Sequence, residues 1–276
     1  MVAFAFFTEE NGRYIASPMA VSAWSTGQLA GTAVCGLLAH QLETHSPGSG
    51  FIPARFSADM FRPVLNEPIE LRSSVIRDGN RIRVADASIV QQGEVRARAS
   101  VHYLAATEEP AGEIWQPDRY LPIPERSLDG PYGNPPLFKS GTDDWTHDFA
   151  SGVNPYRKAA WHNMPTLIEG LAITPFECVA FVSDVTNLVS NWGTTGINYI
   201  NSDVSLTLSR LPETRELGIV AQDRIAANGI AVATAVLYDR GGPLGTSTIS
   251  ALSNSIRRVD MAEFAASRGF SEPSAH

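Results

Sequence analysis

The chain has 276 residues, 43% of them apolar and 18% charged, enough to bury a full core in one large domain or in two of ordinary size. A formal net charge of -8 argues against a nucleic-acid groove, although a local basic patch suffices for one phosphate-bearing ligand. No apolar run reaches the ~18 residues of a membrane span, and the opening Val2 to Phe7 segment meets Glu9 and Glu10 too early for a signal peptide, so the expected location is cytoplasmic.

Residues 2 to 16 read as a short hairpin, with Phe4, Phe6 and Phe7 on one arm, a turn at Asn11-Gly12, and Tyr14 and Ile15 on the other. After Pro18 and Trp24 comes a helix expected over 28 to 43. Leu29, Ala33, Gly36, Leu37 and His40 share adjoining helical positions, and Gly31 and Gly36 allow another backbone to approach closely, so this helix is built to be wrapped. The Ser46-Pro47-Gly48-Ser49-Gly50 loop ends it. Long strands follow over 51 to 64, 69 to 76, 81 to 90 and 95 to 104, with tight turns at Asp78-Gly79 and Gln92-Gly93.

Residues 106 to 145 change character. Their prolines and scattered charges form a connector, and then the order repeats: a helix expected over 175 to 190, and strands over 198 to 209, 216 to 224, 229 to 238 and 244 to 252. Arg62 and Arg210 stand 148 residues apart, Pro63 and Pro212 149, Asp78-Gly79 and Asn228-Gly229 150, and Gly93 and Gly242 149. At the first offset Phe56, Ala58 and Met60 overlay Val204, Leu206 and Leu208, so turns and strand phase recur together. A duplication of a ~120-residue α+β unit follows, with units expected at 1 to 105 and 146 to 256 and a tail over 257 to 276.

The stretch from Asn201 to Arg210 carries the chemistry. Val204, Leu206 and Leu208 alternate with Ser205, Thr207 and Ser209, a strand with one face on a core, and Asp203 heads the polar phase. A carboxylate at the edge of a hydroxyl-rich face can serve as a general base, though an aspartate at a strand start is more often a turn or capping residue. Upstream, an apolar helix with the pair Ser183-Asp184 runs to Asn191-Trp192-Gly193. Helix, loop, Asn-Ser-Asp and then Arg210 with Pro212 resembles the second half of the acyl-CoA thioesterase II family, specifically over residues 174 to 252.

That resemblance implies a tandem (double) hotdog, two antiparallel sheets each wrapping a central helix, and hydrolysis of an acyl-CoA substrate with Asp203 as the catalytic carboxylate. It also implies amide donors from the Gly27 to Gly31 region. In the family a Gln on the last strand and a Thr on an intermediate strand join the Asp around a water. Here the Gln position falls on Ser250, or on Ile249 if the register shifts by one, and the Thr position falls near Asp223 or Arg224, beside Gln222. Ser250 or Thr248 is left to hold the water, and Gln222 to contact substrate. At an offset of 148 Asp203 corresponds to Arg55, so one competent crevice and one degenerate one are expected.

Other side chains have plainer expectations. Glu43 ends the first helix and is read as solvated, Asp184 as a partner of a loop amide or of Arg210, and Asp59 as paired with a basic neighbour. Trp24, Trp161 and Trp192 flank helix ends and either line an acyl tunnel or pack the core. Cys35 and Cys178 are read as buried free thiols, the six histidines show no pair at metal-ligand spacing, and no Gly-x-Ser-x-Gly or phosphate loop occurs, so neither metal nor cofactor is expected. Two other functions fit the same pattern: a non-catalytic acyl-CoA or acyl-lipid binding protein, and a dehydratase built on His40. Strand edges allow a homodimer or higher homo-oligomer.

Overall fold

Asn11 and Gly12 both take positive φ, 53° and 74°, the geometry of a two-residue turn matched to strand twist, so β1 (Ala5–Glu10) folds straight back as β2 (Arg13–Ala16). The computed structural model describes residues 5–125 and 134–254. The expected tail over 257 to 276 lies outside the described residues.

α1 (Gly31–Glu43) starts three residues later than its sequence pattern suggests. Gln28 and Leu29 are committed elsewhere: Gln28 bridges to Leu65, and the Leu29 amide donates to the Val64 carbonyl at 2.8 Å. The helix is apolar almost all round, with Ala33 to Ala39 and Leu42 buried, as expected of a helix enclosed by other elements. β3 (Phe51–Asp59), β4 (Glu70–Arg77), β5 (Ile82–Gln91) and β6 (Glu94–Ala105) form the antiparallel layer against it, and β5, β6 and β4 all touch α1.

Inside the stretch expected as a connector, Asn134–Ser140 is a strand, β7, paired to β8 (Lys158–Asn163). Before it, residues 121 to 124 lie against the second unit, where the Tyr238 hydroxyl donates to the Pro122 carbonyl at 2.5 Å and Arg240 to that of Pro124 at 3.1 Å. β9 (Thr166–Ile168) pairs in parallel with β1, so the first strand of the chain is tied to its second half.

The second helix is not continuous. α2 (Pro175–Ser183) opens with a capping box, the Thr174 hydroxyl accepting from the Glu177 amide and the Glu177 carboxylate accepting from the Thr174 amide. It stops at Ser183 because that carbonyl accepts instead from the hydroxyls of Thr186 (2.7 Å) and Ser247 (3.0 Å). α3 (Val185–Asn191) follows at once, with Asp184 at the joint. Two short strands, β10 (Trp192–Gly193) and β11 (Gly196–Ile197), lead to β12 (Tyr199–Asn201), β13 (Asp203–Leu208), β14 (Glu216–Ala227), β15 (Ile230–Asp239) and β16 (Gly242–Ser253). The expected strand over 198 to 209 is therefore two strands, broken at Ser202.

One sheet of 11 strands runs through both units, in the order β4-β5-β6-β3-β13-β16-β15-β14-β8-β7, with β12 added on β16. The joint is the antiparallel pair β3 and β13, in which Asp203 lies opposite Asp59, Leu206 opposite Phe56 and Thr207 opposite Arg55. Ser57 and Ser205, 148 residues apart, face each other with hydroxyl oxygens 3.5 Å apart. Residues that correspond between the two units thus meet where the units meet, as an approximate twofold axis through that pair requires. α1 packs on α2 behind the joint, Gly36 letting Leu167 and Phe181 come within 3.0 and 3.5 Å of where a Cβ would stand. Two helices, each backed by its own half of a shared antiparallel sheet, make the double hotdog.

Candidate active site

Asp203 opens β13 and is half-buried. Its Oδ1 accepts from the Ser250 backbone amide at 3.1 Å and from the Ser202 hydroxyl at 3.2 Å. Both donors reach the same oxygen, and among the described residues none donates to Oδ2. The position depends on the break at Ser202: the Ser202 amide donates to the Ser250 carbonyl while its own carbonyl accepts from Met60, and this lets Asp203 meet β16 edge-on. Asp59, directly opposite Asp203, is held by Arg98 at 2.9 Å, which offsets the repulsion of two like charges across a strand pair.

Behind Asp203 stands a buried carboxylate. The Asn201 side-chain amide donates to Asp184 Oδ1 at 2.7 Å and to the Asp203 carbonyl at 3.3 Å, tying the joint of the second helix to the start of β13. Burial raises the Asp184 carboxyl from 3.8 to about 6, against the Asn201 hydrogen bond that lowers it. The same carboxylate lies on the first residue of α1. A Cβ at Gly31 would stand 2.5 Å from Asp184 Oδ2, so glycine is required there for close approach and not for φ. A helix N-terminus exposes unpaired amides and a positive dipole end, which favours a carboxylate at that place.

Gly31, Asp184, Asn201, Asp203 and Ser250 are therefore brought together at the meeting of the two units. Ser250 contributes its backbone amide; its side chain is exposed. Thr248 pairs with Ser205 and Thr234, further along β16. Gly27 is in the loop before α1, its amide donating to the Ser25 hydroxyl and its carbonyl accepting from Asn66. Gln222 lines a separate cavity, described below, and neither neighbour turns to Asp203: Asp223 accepts from the Arg224 amide at 2.7 Å, and the Arg224 guanidinium goes to Asn191. Asp184 does not pair with Arg210, which makes a two-pronged ion pair with Asp239 at 2.5 and 2.8 Å. The sequence reading missed Asn201 as a link and the main-chain amide of Ser250; only the Asn-Ser-Asp triplet pointed to the first.

At the other end of the helix pair a second polar cluster joins the units. The Thr174 hydroxyl donates to Glu43 Oε2 at 2.6 Å, and His40 Nδ1 lies 2.7 Å from Glu177 Oε1. Glu43 is thus not the solvated residue its place in the sequence suggested. Burial, with the nearby charge of Glu177, raises its carboxyl from 4.5 to about 7, opposed by the Thr174 hydrogen bond and by His40. Trp161 and Trp192 are core residues, the first fully buried on Tyr238 and the second stacked on Phe149 at 4.7 Å, while Trp24 is half-buried against the same core. Cys35 and Cys178 are buried free thiols. Among the described residues no group of three or more His, Cys, Asp or Glu is placed to hold a metal ion, and no helix is long and apolar enough to cross a membrane.

Comparison with known proteins places this arrangement. Residues 20–104 match the model of the acyl-CoA thioesterase N-terminal domain, and residues 117–252 that of the acyl-CoA thioesterase C-terminal domain. A search of curated sequences finds no match. Among solved structures, a tesB protein of Mycobacterium avium subspecies paratuberculosis is 14% identical, with a TM-score of 0.63 over 89% of this chain and 95% of that one. The acyl-CoA thioesterase II TesB2 of Mycobacterium marinum is 16% identical, with a TM-score of 0.59 over 88% and 93%. A conserved hot dog fold protein of unknown function from Alicyclobacillus acidocaldarius is 14% identical, with a TM-score of 0.56 over 91% and 96%. At these identities the likeness carries the fold.

Proposed function

Because the chain belongs to the acyl-CoA thioesterase family by both of its halves, we propose that it hydrolyses acyl-CoA thioesters to free acid and CoA, with a water oriented by Asp203. The observation that carries this reading is the Asp203 carboxylate itself, fixed through one oxygen by Ser250 N–H and Ser202 O–H with the other oxygen open. A water on Oδ2 gives up its proton to the carboxylate as it attacks the thioester carbonyl, and the thiolate of CoA leaves when the tetrahedral intermediate collapses. The oxygen that becomes negative needs a donor. The first turn of α1, which opens at Gly31 beside this site, has such amides, whereas the Gly27 amide is already engaged with Ser25. Asp184, close to Gly31, hinders an anion there when ionised and not when protonated, and its carboxyl, raised to about 6, makes that balance sensitive to pH.

The test is release of free thiol from a panel of acyl-CoAs of different chain length. Turnover above the rate without protein supports hydrolysis. A second reading has one observation in its favour: no side chain from β16 joins Asp203 where the family's Gln would, only the Ser250 main chain. On that reading the protein binds acyl-CoA or acyl-lipid without cleaving it, and acyl-CoA binds with no thiol released.

A further inference from the structure

The described residues line an open cleft of about 460 Å³ in the second unit, between the end of α3, the β10–β11 turn and the middle of β14. Two arginines line it, Arg157 and Arg224, and neither makes an ion pair with a carboxylate among the described residues. Each is held in place by neutral acceptors instead. Arg224 Nε donates to Asn191 Oδ1 at 2.8 Å, and its guanidinium lies over the Tyr199 ring at 5.1 Å. Arg157 Nη2 donates to the Gln222 carbonyl at 3.2 Å. Asp223, the one acidic lining residue, accepts from the Arg224 main-chain amide.

Neutral acceptors fix a guanidinium without cancelling its charge. Two such groups, pre-oriented in one cavity of a protein with a net charge of -8, form a local positive site with terminal N–H donors to spare. Phosphoryl oxygens match that fork geometry, and the cavity is much larger than one inorganic phosphate, so it has room for an organic phosphate. Its position also fits. Tyr199, in the cavity wall, is four residues before Asp203, so at most about 14 Å of chain separates them, a span that the pantetheine arm of CoA can bridge.

We propose that Arg157 and Arg224 bind the phosphate-bearing nucleotide end of CoA while the thioester lies at Asp203. This rests on the acyl-CoA reading above and adds to it the place where the phosphates sit. The experiment compares acyl-CoA with the corresponding acyl-pantetheine, which carries no phosphate, in wild type, in Arg157→Gln, and in Arg157→Gln with Arg224→Gln. Calorimetric titration with free CoA and with inorganic phosphate is run beside it. The double variant raises KM for acyl-CoA about tenfold or more, equivalent to about 1.4 kcal/mol, and moves KM for acyl-pantetheine less than about twofold. Arg157→Gln keeps the test sound if loss of Arg224 from the Tyr199 ring unfolds the protein, and it gives a smaller shift in the same direction. Kd for CoA weakens in parallel, while inorganic phosphate binds far more weakly than CoA. An unchanged KM and Kd for CoA, equal losses for the two substrates, or phosphate binding as well as CoA overturns the proposal. Arginine-dependent CoA binding without thiol release leaves it standing and removes the hydrolysis reading; thiol release with arginine-independent KM does the reverse.

Discussion

The two ends of the α1–α2 pair are built alike and equipped differently. At one end the start of α1 meets Asp184, and through Asn201 that contact reaches Asp203, a half-buried carboxylate with one oxygen open. At the other end the start of α2 meets Glu43, but there every oxygen named has a neighbour: Thr174 donates to Glu43, the Thr174 amide donates to Glu177, and His40 lies against Glu177. The approximate twofold axis supplies both places, and the residues at each decide how its carboxylates are held. The second end is a latch between the units; the first is a latch that, on the proposed reading, also presents a base.

The comparison breaks most visibly at Gly31. Gly31→Ala puts a Cβ 2.5 Å from Asp184 Oδ2, and overpacking of this kind costs about 1–3 kcal/mol. Denaturant midpoints should show that cost in the wild-type background and lose most of it in Asp184→Ala, where the carboxylate is gone. Equal costs in both backgrounds would mean that the two residues do not press on each other.

The latch at the second end is sharpened by pH. The Glu43 carboxyl is raised in the folded state, from 4.5 to about 7, so its contribution to stability is fully present below about 4.5 and is lost as pH rises through about 7. Glu43→Gln keeps an acceptor for Thr174 and cannot ionise. Relative to wild type it should gain roughly 2 kcal/mol between pH 5 and pH 8, the cost of ionising a carboxyl held near 7, discounted for its partial exposure. Urea titrations at the two pH values check this; parallel pH slopes in the two proteins would contradict it.

The smallest effect is expected at Ser250. Its amide, not its hydroxyl, holds Asp203, so Ser250→Ala should change stability by less than about 0.5 kcal/mol and the turnover number by less than about threefold. A large loss of turnover measured on that variant would return the hydroxyl to the chemistry.

Much of the fold was legible because its signals are local and repeated. The alternation at Val204, Leu206 and Leu208 and the turns at Gln92-Gly93 and Asn228-Gly229, where both residues take positive φ, mark strands and hairpins whatever surrounds them. The helix expected over 175 to 190 is present but interrupted after Ser183, whose carbonyl is taken by a hydroxyl from β16, 64 residues away. No periodicity within the helix announces such a partner. The strand start at Asp203 was legible from the alternation that follows it, and the contacts that hold its carboxylate were not. Backbone amides such as that of Ser250 carry no sequence signature, and Glu43 looks like any helix-end glutamate until α2 is folded against it.

The central claim is that of the two ends only the one carrying Asp203 does chemistry. It is tested most directly by measuring the turnover number of Asp203→Asn beside that of Glu43→Gln on the acyl-CoA that wild type cleaves best. Asp203→Asn should stay folded and bind substrate while the turnover number falls by about 100-fold or more, the scale for losing a positioned base, and Glu43→Gln should stay within about threefold of wild type. Undiminished turnover in Asp203→Asn, or a collapse confined to Glu43→Gln, would contradict the account and move the base to the other end of the helices.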